Sequence, residues 1–213
     1  MTIRAKICGV TNREAADAAI AGGAAWIGLN FYPASPRYLM PEAAAALIAH
    51  SPARLGKVGI FVDAEDDDIA AAVAAGLTAV QLHGRESPER GATLRRRFGL
   101  EVWKAVPVRT REDLAGVRAY GGAADRILYD AKAPAGAAIA SGGLGLRFDW
   151  RLLDGFVHPL PWLLSGGLDP GNVAEAIGVT GARAVDVASG VESAPGIKDV
   201  DKIAAFLKAT GQS

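Results

Sequence analysis

Two residues that can move protons each close a short apolar run in this sequence. Cys8 lies near the end of the first such run, and Asp130 ends another, at residues 126–130. A thiol and a carboxylic acid at the ends of buried strands could face one pocket, where one accepts a proton and the other donates one. Against this, a free cysteine is usually a small buried hydrophobe, and the carboxylate could cap or pair within its loop.

Other polar residues stand where a substrate could be bound. Arg37 lies in a stiff loop that contains Pro33 and Pro36. Its guanidinium could bind a carboxylate bidentately or simply be solvated. His83 and Asp186 lie near the ends of further apolar runs. Either could titrate or orient a substrate, and a purely structural part is equally open for both.

Glycines follow the last two strand-like runs of the chain. They are Gly166 and Gly167 in the first case, and Gly190, preceded by Ser189, in the second. Glycines let backbone N–H groups approach an anion closely, so these positions suit a phosphate group. The alternative is that they only make tight turns.

An alternation of apolar and amphipathic runs must position these residues. The predicted strands are 5–10, 26–32, 57–62, 79–83, 101–108, 126–130, 162–165 and 184–188. The predicted helices are 12–21, 41–50, 66–75, 88–98, 111–120, 150–153, 172–177 and 200–208. Strand runs such as 58–62 are apolar throughout, which is typical of parallel strands covered on both faces.

Eight successive βα units predict a single α/β domain over residues 1–213, a closed (β/α)8 TIM barrel with outer helices, in preference to an open doubly wound sheet. Active sites in this barrel lie at the carboxyl ends of the strands, where Cys8 and Asp130 are expected. A thiolate also needs nearby positive charge. Lys6 is not an obvious source, because it lies two positions earlier and deeper along the same strand face.

The composition indicates a cytoplasmic globular protein. Lys and Arg together number 23, as do Asp and Glu, so the zero net charge does not favour nucleic acid as a partner. A lone cysteine excludes an internal disulfide, and no side-chain spacing predicts a metal site. No apolar run approaches the roughly 20 residues of a membrane span. We expect a monomer rather than a dimer, because no long apolar surface demands a partner.

Several segments, all in the same order, strongly resemble the phosphoribosylanthranilate isomerase family. They are 6–11, 35–37, 58–62, 81–84, 148–150, 165–168, 172–173, 185–192 and 196–199. Each is weak alone, but together they are specific and extend over nearly the whole chain. Two positions depart from the family's pattern. Leu144 replaces a small polar residue, and Ala188 stands where serine is common.

The resemblance implies an Amadori rearrangement without a cofactor, in tryptophan biosynthesis. The phosphosugar substrate N-(5-phosphoribosyl)anthranilate would become 1-(2-carboxyphenylamino)-1-deoxyribulose 5-phosphate. By similarity, Asp130 is the general acid, Cys8 is the general base, and Arg37 holds the anthranilate carboxylate. The phosphate would be bound by backbone N–H groups around Gly143, Gly166, Gly167, Ser189 and Gly190.

Two alternatives remain at this point. Another phosphosugar barrel enzyme is one of them. Indole-glycerol-phosphate synthase should show catalytic lysines and an extra N-terminal segment, whereas this chain starts directly at its first strand. A histidine-pathway isomerase would need two catalytic carboxylates in place of a cysteine and an aspartate. The other is a non-catalytic barrel that binds a phosphate ligand, in which Cys8→Ala would leave function intact.

Overall fold

Eight parallel strands form a closed barrel in the computed structural model, which describes residues 2–132 and 145–211. The strands are β1 Arg4–Cys8, β2 Trp26–Asn30, β3 Gly56–Phe61, β4 Ala79–Leu82, β5 Glu101–Val108, β6 Arg126–Ala131, β7 Trp162–Leu164 and β8 Ala184–Val187. Each strand is hydrogen-bonded to the next, and β8 returns to pair with β1. The predicted (β/α)8 barrel is therefore confirmed.

Helices cover the outside of the barrel. The α-helices are α1 Arg13–Ala21, α2 Pro41–His50, α3 Asp66–Ala74, α4 Pro88–Phe98, α5 Val173–Thr180 and α6 Val200–Ala209. Three further segments, Arg111–Tyr120, Trp150–Leu153 and Ser189–Val191, form 3-10 helices. The side chain of Asn12 accepts a 2.9 Å hydrogen bond from the Ala15 N–H, which satisfies a backbone donor at the start of α1.

The strands separate two apolar clusters. The larger lies between strands and helices and includes Ala5 and Ile7 of β1. The smaller fills the barrel interior with Trp26, Val58, Ala79, Trp103, Ala105, Leu128, Leu163 and Ala184. Because side chains alternate along a strand, Lys6 and Cys8 face the interior. β1 thus contributes an ammonium group and a thiol where the other strands contribute mostly apolar side chains.

A small hairpin follows the barrel and was not among the predicted elements. It consists of β9 Glu192–Ala194 and β10 Ile197–Lys198. At its turn, Gly196 approaches the Pro36 carbonyl so closely that a Cβ would overlap it. The Thr11 hydroxyl also donates to the Gly196 carbonyl at 3.5 Å. The hairpin therefore packs on the loops that follow β1 and β2, at the carboxyl end of the barrel.

Candidate active site

Cys8 is the last residue of β1, so its half-buried thiol lies at the carboxyl end of the barrel interior. Gly28 is its partner in the register of β2. A Cβ at Gly28 would lie 3.0 Å from the sulfur atom of Cys8. The glycine therefore provides the space that the thiol occupies.

An ion pair lies one inward-facing position below Cys8. The Lys6 Nζ is 2.8 Å from the Asp186 Oδ1, and the Lys6 side chain is 0 % exposed. The Ser165 hydroxyl donates to the other carboxylate oxygen of Asp186 at 3.1 Å. Asp186, whose part the sequence left open, therefore anchors a buried network that joins β1, the end of β7 and β8.

Two lysines supply positive charge near the thiol of Cys8. The pKa of Cys8 is raised overall, because the effect of burial is the largest; the ammonium of Lys6 lowers this pKa, the carboxylate of Asp186 raises it, and Lys198 lowers it. The expectation that Lys6 is not an obvious source of positive charge was wrong, because its ammonium lowers the pKa of the thiol from the next inward-facing position of β1.

Asp130 and His83 come together at the carboxyl ends of β6 and β4. Asp130 follows the interior residue Leu128 by two positions, so its carboxylate also faces inward. Its Oδ1 accepts a 2.8 Å hydrogen bond from the Ala131 N–H, and its Oδ2 is 3.3 Å from the His83 Nε2. The Gln81 amide nitrogen lies 3.0 Å from the His83 Nδ1.

Arg37 is buried and held by a residue to which the sequence analysis assigned no role. Its Nε and Nη2 each donate a 2.7 Å hydrogen bond to a different carboxylate oxygen of Glu192. Lys198 donates a third, also at 2.7 Å, to Glu192. Burial alone would raise the pKa of Glu192, but these two cations lower it. The alternative of a solvated Arg37 is therefore wrong.

The glycine loops after β7 and β8 lie in direct contact. Gly166 and Gly167 adopt φ angles of +87° and +64°, which favour glycine. A Cβ at Gly190 would overlap the carbonyl of Leu168. Within residues 2–132 and 145–211, the backbone N–H groups of these three glycines and of Ser189 donate to no protein acceptor. Gly143 lies outside the described residues, as does Leu144.

Residues 2–132 and 145–211 contain neither a metal-ligand cluster nor a membrane-spanning helix. No group of three or more His, Cys, Asp or Glu side chains in these ranges could hold a metal ion. No helix there has the length and apolar character needed to cross a membrane.

The fold and these side chains define a (β/α)8-barrel site for acid–base chemistry, with a thiol, a carboxyl group and a clamped guanidinium at its carboxyl end. The family model described as N-(5'phosphoribosyl)anthranilate (PRA) isomerase matches residues 5–209. The chain belongs to this family.

Relatives and solved structures agree with this assignment. The N-(5'-phosphoribosyl)anthranilate isomerase of Zymomonas mobilis subsp. mobilis is 49% identical over 210 residues, which cover 98% of each chain. The crystal structure of phosphoribosyl anthranilate isomerase from Thermotoga maritima has a TM-score of 0.87 and 39% identity, over 98% of each chain. Another structure of this isomerase holds reduced 1-(o-carboxyphenylamino)-1-deoxyribulose 5-phosphate, and it has a TM-score of 0.83 and 38% identity over 98% of each chain.

Proposed function

We propose that this chain converts N-(5-phosphoribosyl)anthranilate into 1-(2-carboxyphenylamino)-1-deoxyribulose 5-phosphate, a step of tryptophan biosynthesis, without a cofactor. The observation that carries the proposal is the placement of Cys8 and Asp130 at the carboxyl ends of β1 and β6, both facing the barrel interior. An Amadori rearrangement needs an acid and a base that act on one substrate. Membership of the family supplies the substrate.

The two residues divide the proton transfers between them. Asp130 donates a proton to the ribose ring oxygen, the bond from that oxygen to C1' breaks, and a Schiff base forms with the anthranilate nitrogen. Cys8 then removes the proton from C2', which gives an enolamine that tautomerises to the ketone. His83, 3.3 Å from the Asp130 carboxylate, orients the acid. Oxidation at C2' balances reduction at C1', so the reaction needs no external oxidant.

The remaining site residues bind the two anionic ends of the substrate. We assign the anthranilate carboxylate to Arg37, whose guanidinium direction is set by its two 2.7 Å hydrogen bonds to Glu192. We assign the phosphate to the backbone N–H groups of Gly166, Gly167, Ser189 and Gly190, and to Gly143 by similarity. Backbone donors suit this task because they are fixed in direction and carry no counter-charge.

The test is turnover of freshly made phosphoribosylanthranilate, followed by the loss of anthranilate-type fluorescence. Cys8→Ala and Asp130→Asn should each lower kcat by about 10²–10⁴-fold with little change in KM, because each removes a general acid or base. Asp154→Asn, at an exposed position, is the matched control for Asp130. Absence of acceleration over the spontaneous reaction would refute the activity. Full turnover by Cys8→Ala would favour the non-catalytic barrel.

We further propose a monomer that works in the cytoplasm. The large apolar side chains that are exposed in the described part of the chain, such as Met40, Val157 and Val179, lie in different segments of the sequence. A free thiol in the site also fits a reducing compartment. Light scattering after size exclusion tests the monomer, since one solved isomerase from Thermotoga maritima is described as dimeric. Full activity after exhaustive dialysis against a chelator tests cofactor independence.

A further inference from the structure

Lys6 is a fully buried cation that the proton transfers described above do not use. It ranks among the largest fully buried side chains of the protein, and it faces a barrel interior that is otherwise mostly apolar. Burial of an ammonium group is costly even when the group is paired. An apolar side chain would fill the same position at a lower cost, so the charge itself needs an explanation.

We propose that Lys6 is a positioning residue that stabilises the thiolate of Cys8, while Asp186 holds the Lys6 ammonium in place. The inference rests on the proposed function, in which Cys8 must lose its own proton before it can accept one from carbon. The inference adds the source of positive charge that stabilises the deprotonated thiol of Cys8 in a buried site.

The geometry of two adjacent strands supports this role. Lys6 and Cys8 lie two residues apart on the same face of β1, and Lys6 is directly opposite Asp186 in the register with β8. The 2.8 Å contact to Asp186 fixes the ammonium, and the Ser165 hydroxyl fixes the carboxylate in turn. The ammonium of Lys6 acts on the thiol of Cys8 from the neighbouring inward-facing position of the same strand. A fixed point charge next to an ionisable thiol favours its charged form.

The charged groups around Cys8 come from several elements. β2 contributes Gly28 and no charge at this point. The groups that act on the thiol are Lys6 of β1, Asp186 of β8 and Lys198 of β10, and the last of these is tied to Glu192 and hence to Arg37. Lys198 has a smaller effect than Lys6 and donates its hydrogen bonds to Glu192 and the Ala188 carbonyl. Lys6 is therefore the main cation for Cys8.

Substitutions of the two partners should act in opposite directions. Lys6→Met removes the cation and leaves the anion of Asp186, so the pKa of Cys8 should rise. Asp186→Asn removes the negative charge that raises the pKa of Cys8 and keeps the ammonium of Lys6, so the pKa of Cys8 should fall. If Lys6 and Asp186 had only a structural role, both substitutions would shift the pKa of Cys8 in the same direction.

The experiment measures the rate at which iodoacetamide alkylates the full-length protein as a function of pH. Cys8 is the only cysteine, so the signal has one source. At about pH 7.5, Lys6→Met should slow alkylation by about tenfold, which corresponds to one pKa unit, and Asp186→Asn should accelerate it. Lys104→Met is the matched control, because it breaks another buried pair, with Glu86 at 2.9 Å, and should leave the alkylation profile unchanged.

Several outcomes would overturn the inference. One is an unchanged alkylation profile in Lys6→Met, and another is a shift of the same sign in both single variants. If Lys6→Met does not fold, the double variant Lys6→Met/Asp186→Asn leaves no unpaired charge and should still be alkylated more slowly than the parent protein. Faster alkylation of the double variant would also overturn it. These readouts do not depend on turnover, so they stand apart from the Cys8→Ala test of the reaction itself.

Discussion

Replacement of Glu192 by glutamine removes the anion that holds two buried cations. Glu192 accepts two hydrogen bonds of 2.7 Å from Arg37 and one of 2.7 Å from Lys198. The side chains of Glu192, Arg37 and Lys198 are only 4%, 5% and 0% exposed. Removal of one partner from a buried ion pair costs about 3–5 kcal/mol, because the other charge stays buried. With a urea m value of about 3 kcal/mol per M, the unfolding midpoint should fall by about 1–1.7 M.

The assay is urea unfolding followed by tryptophan fluorescence, with Glu101→Gln as the control. Glu101 pairs with Arg126 at 3.2 Å, but its side chain is 45% exposed, and an exposed pair contributes at most about 1 kcal/mol. Both variants replace a glutamate by a glutamine, so the difference between their midpoint shifts measures the effect of burial. Equal shifts of the two midpoints would refute the reasoning. In turnover assays, Glu192→Gln should raise KM more than it lowers kcat, because Arg37 loses its orientation.

The same variant should also change the acid sensitivity of the protein. The pKa of Glu192 is lowered in the folded protein, where Arg37 and Lys198 offset the effect of burial. The stability that this ionised carboxylate contributes is therefore present above its unfolded pKa and is lost as the pH falls through its lower folded pKa. Unfolding curves of Glu192→Gln below about pH 4.5 should converge towards those of the parent protein.

Two further substitutions test parts of the fold near the site. Gly190→Ala should cost about 1–3 kcal/mol in thermal unfolding, because the new methyl group would overlap the Leu168 carbonyl; an unchanged Tm would contradict this close approach. Asp113→Asn should reduce the loss of stability between about pH 4 and pH 2, since hydrogen bonds from Lys132 and two backbone N–H groups outweigh burial and lower the pKa of Asp113 to about 2. If Asp113→Asn lost stability with falling pH as the parent protein does, the ionised carboxylate of Asp113 would not make this contribution.

The barrel could be predicted from the sequence because its strands carry a local signal. Runs such as 58–62 are apolar throughout. β5 Glu101–Val108, α2 Pro41–His50 and α4 Pro88–Phe98 begin and end at the predicted residues. Most other boundaries differ by one or two residues, where the ends of elements depend on tertiary contacts. The hairpin Glu192–Lys198 has no apolar alternation and gave no such signal.

The candidate site could be predicted only where a single residue carried the signal. Cys8 and Asp130 were identified by residue type and position at the ends of strands. The hydrogen bonds from Arg37 to Glu192 and the ion pair of Lys6 with Asp186 depend on strand register and on long side chains from different elements. No spacing along the chain encodes these contacts, because partners such as Lys6 and Asp186 meet only when β1 pairs with β8.

The pairing of β1 with β8 has a consequence for the chain while it is being synthesised. Lys6 and Asp186 are 180 residues apart, and Arg37 and Glu192 are 155 apart. A nascent chain therefore contains Lys6 and Arg37 early in synthesis, yet it has neither of their carboxylate partners until most of it has been synthesised. A chain cut short before residue 186 keeps an open strand edge at β1 and an unpaired ammonium group. The buried ion pairs of the site and the closed barrel should consequently form together, when β8 pairs with β1.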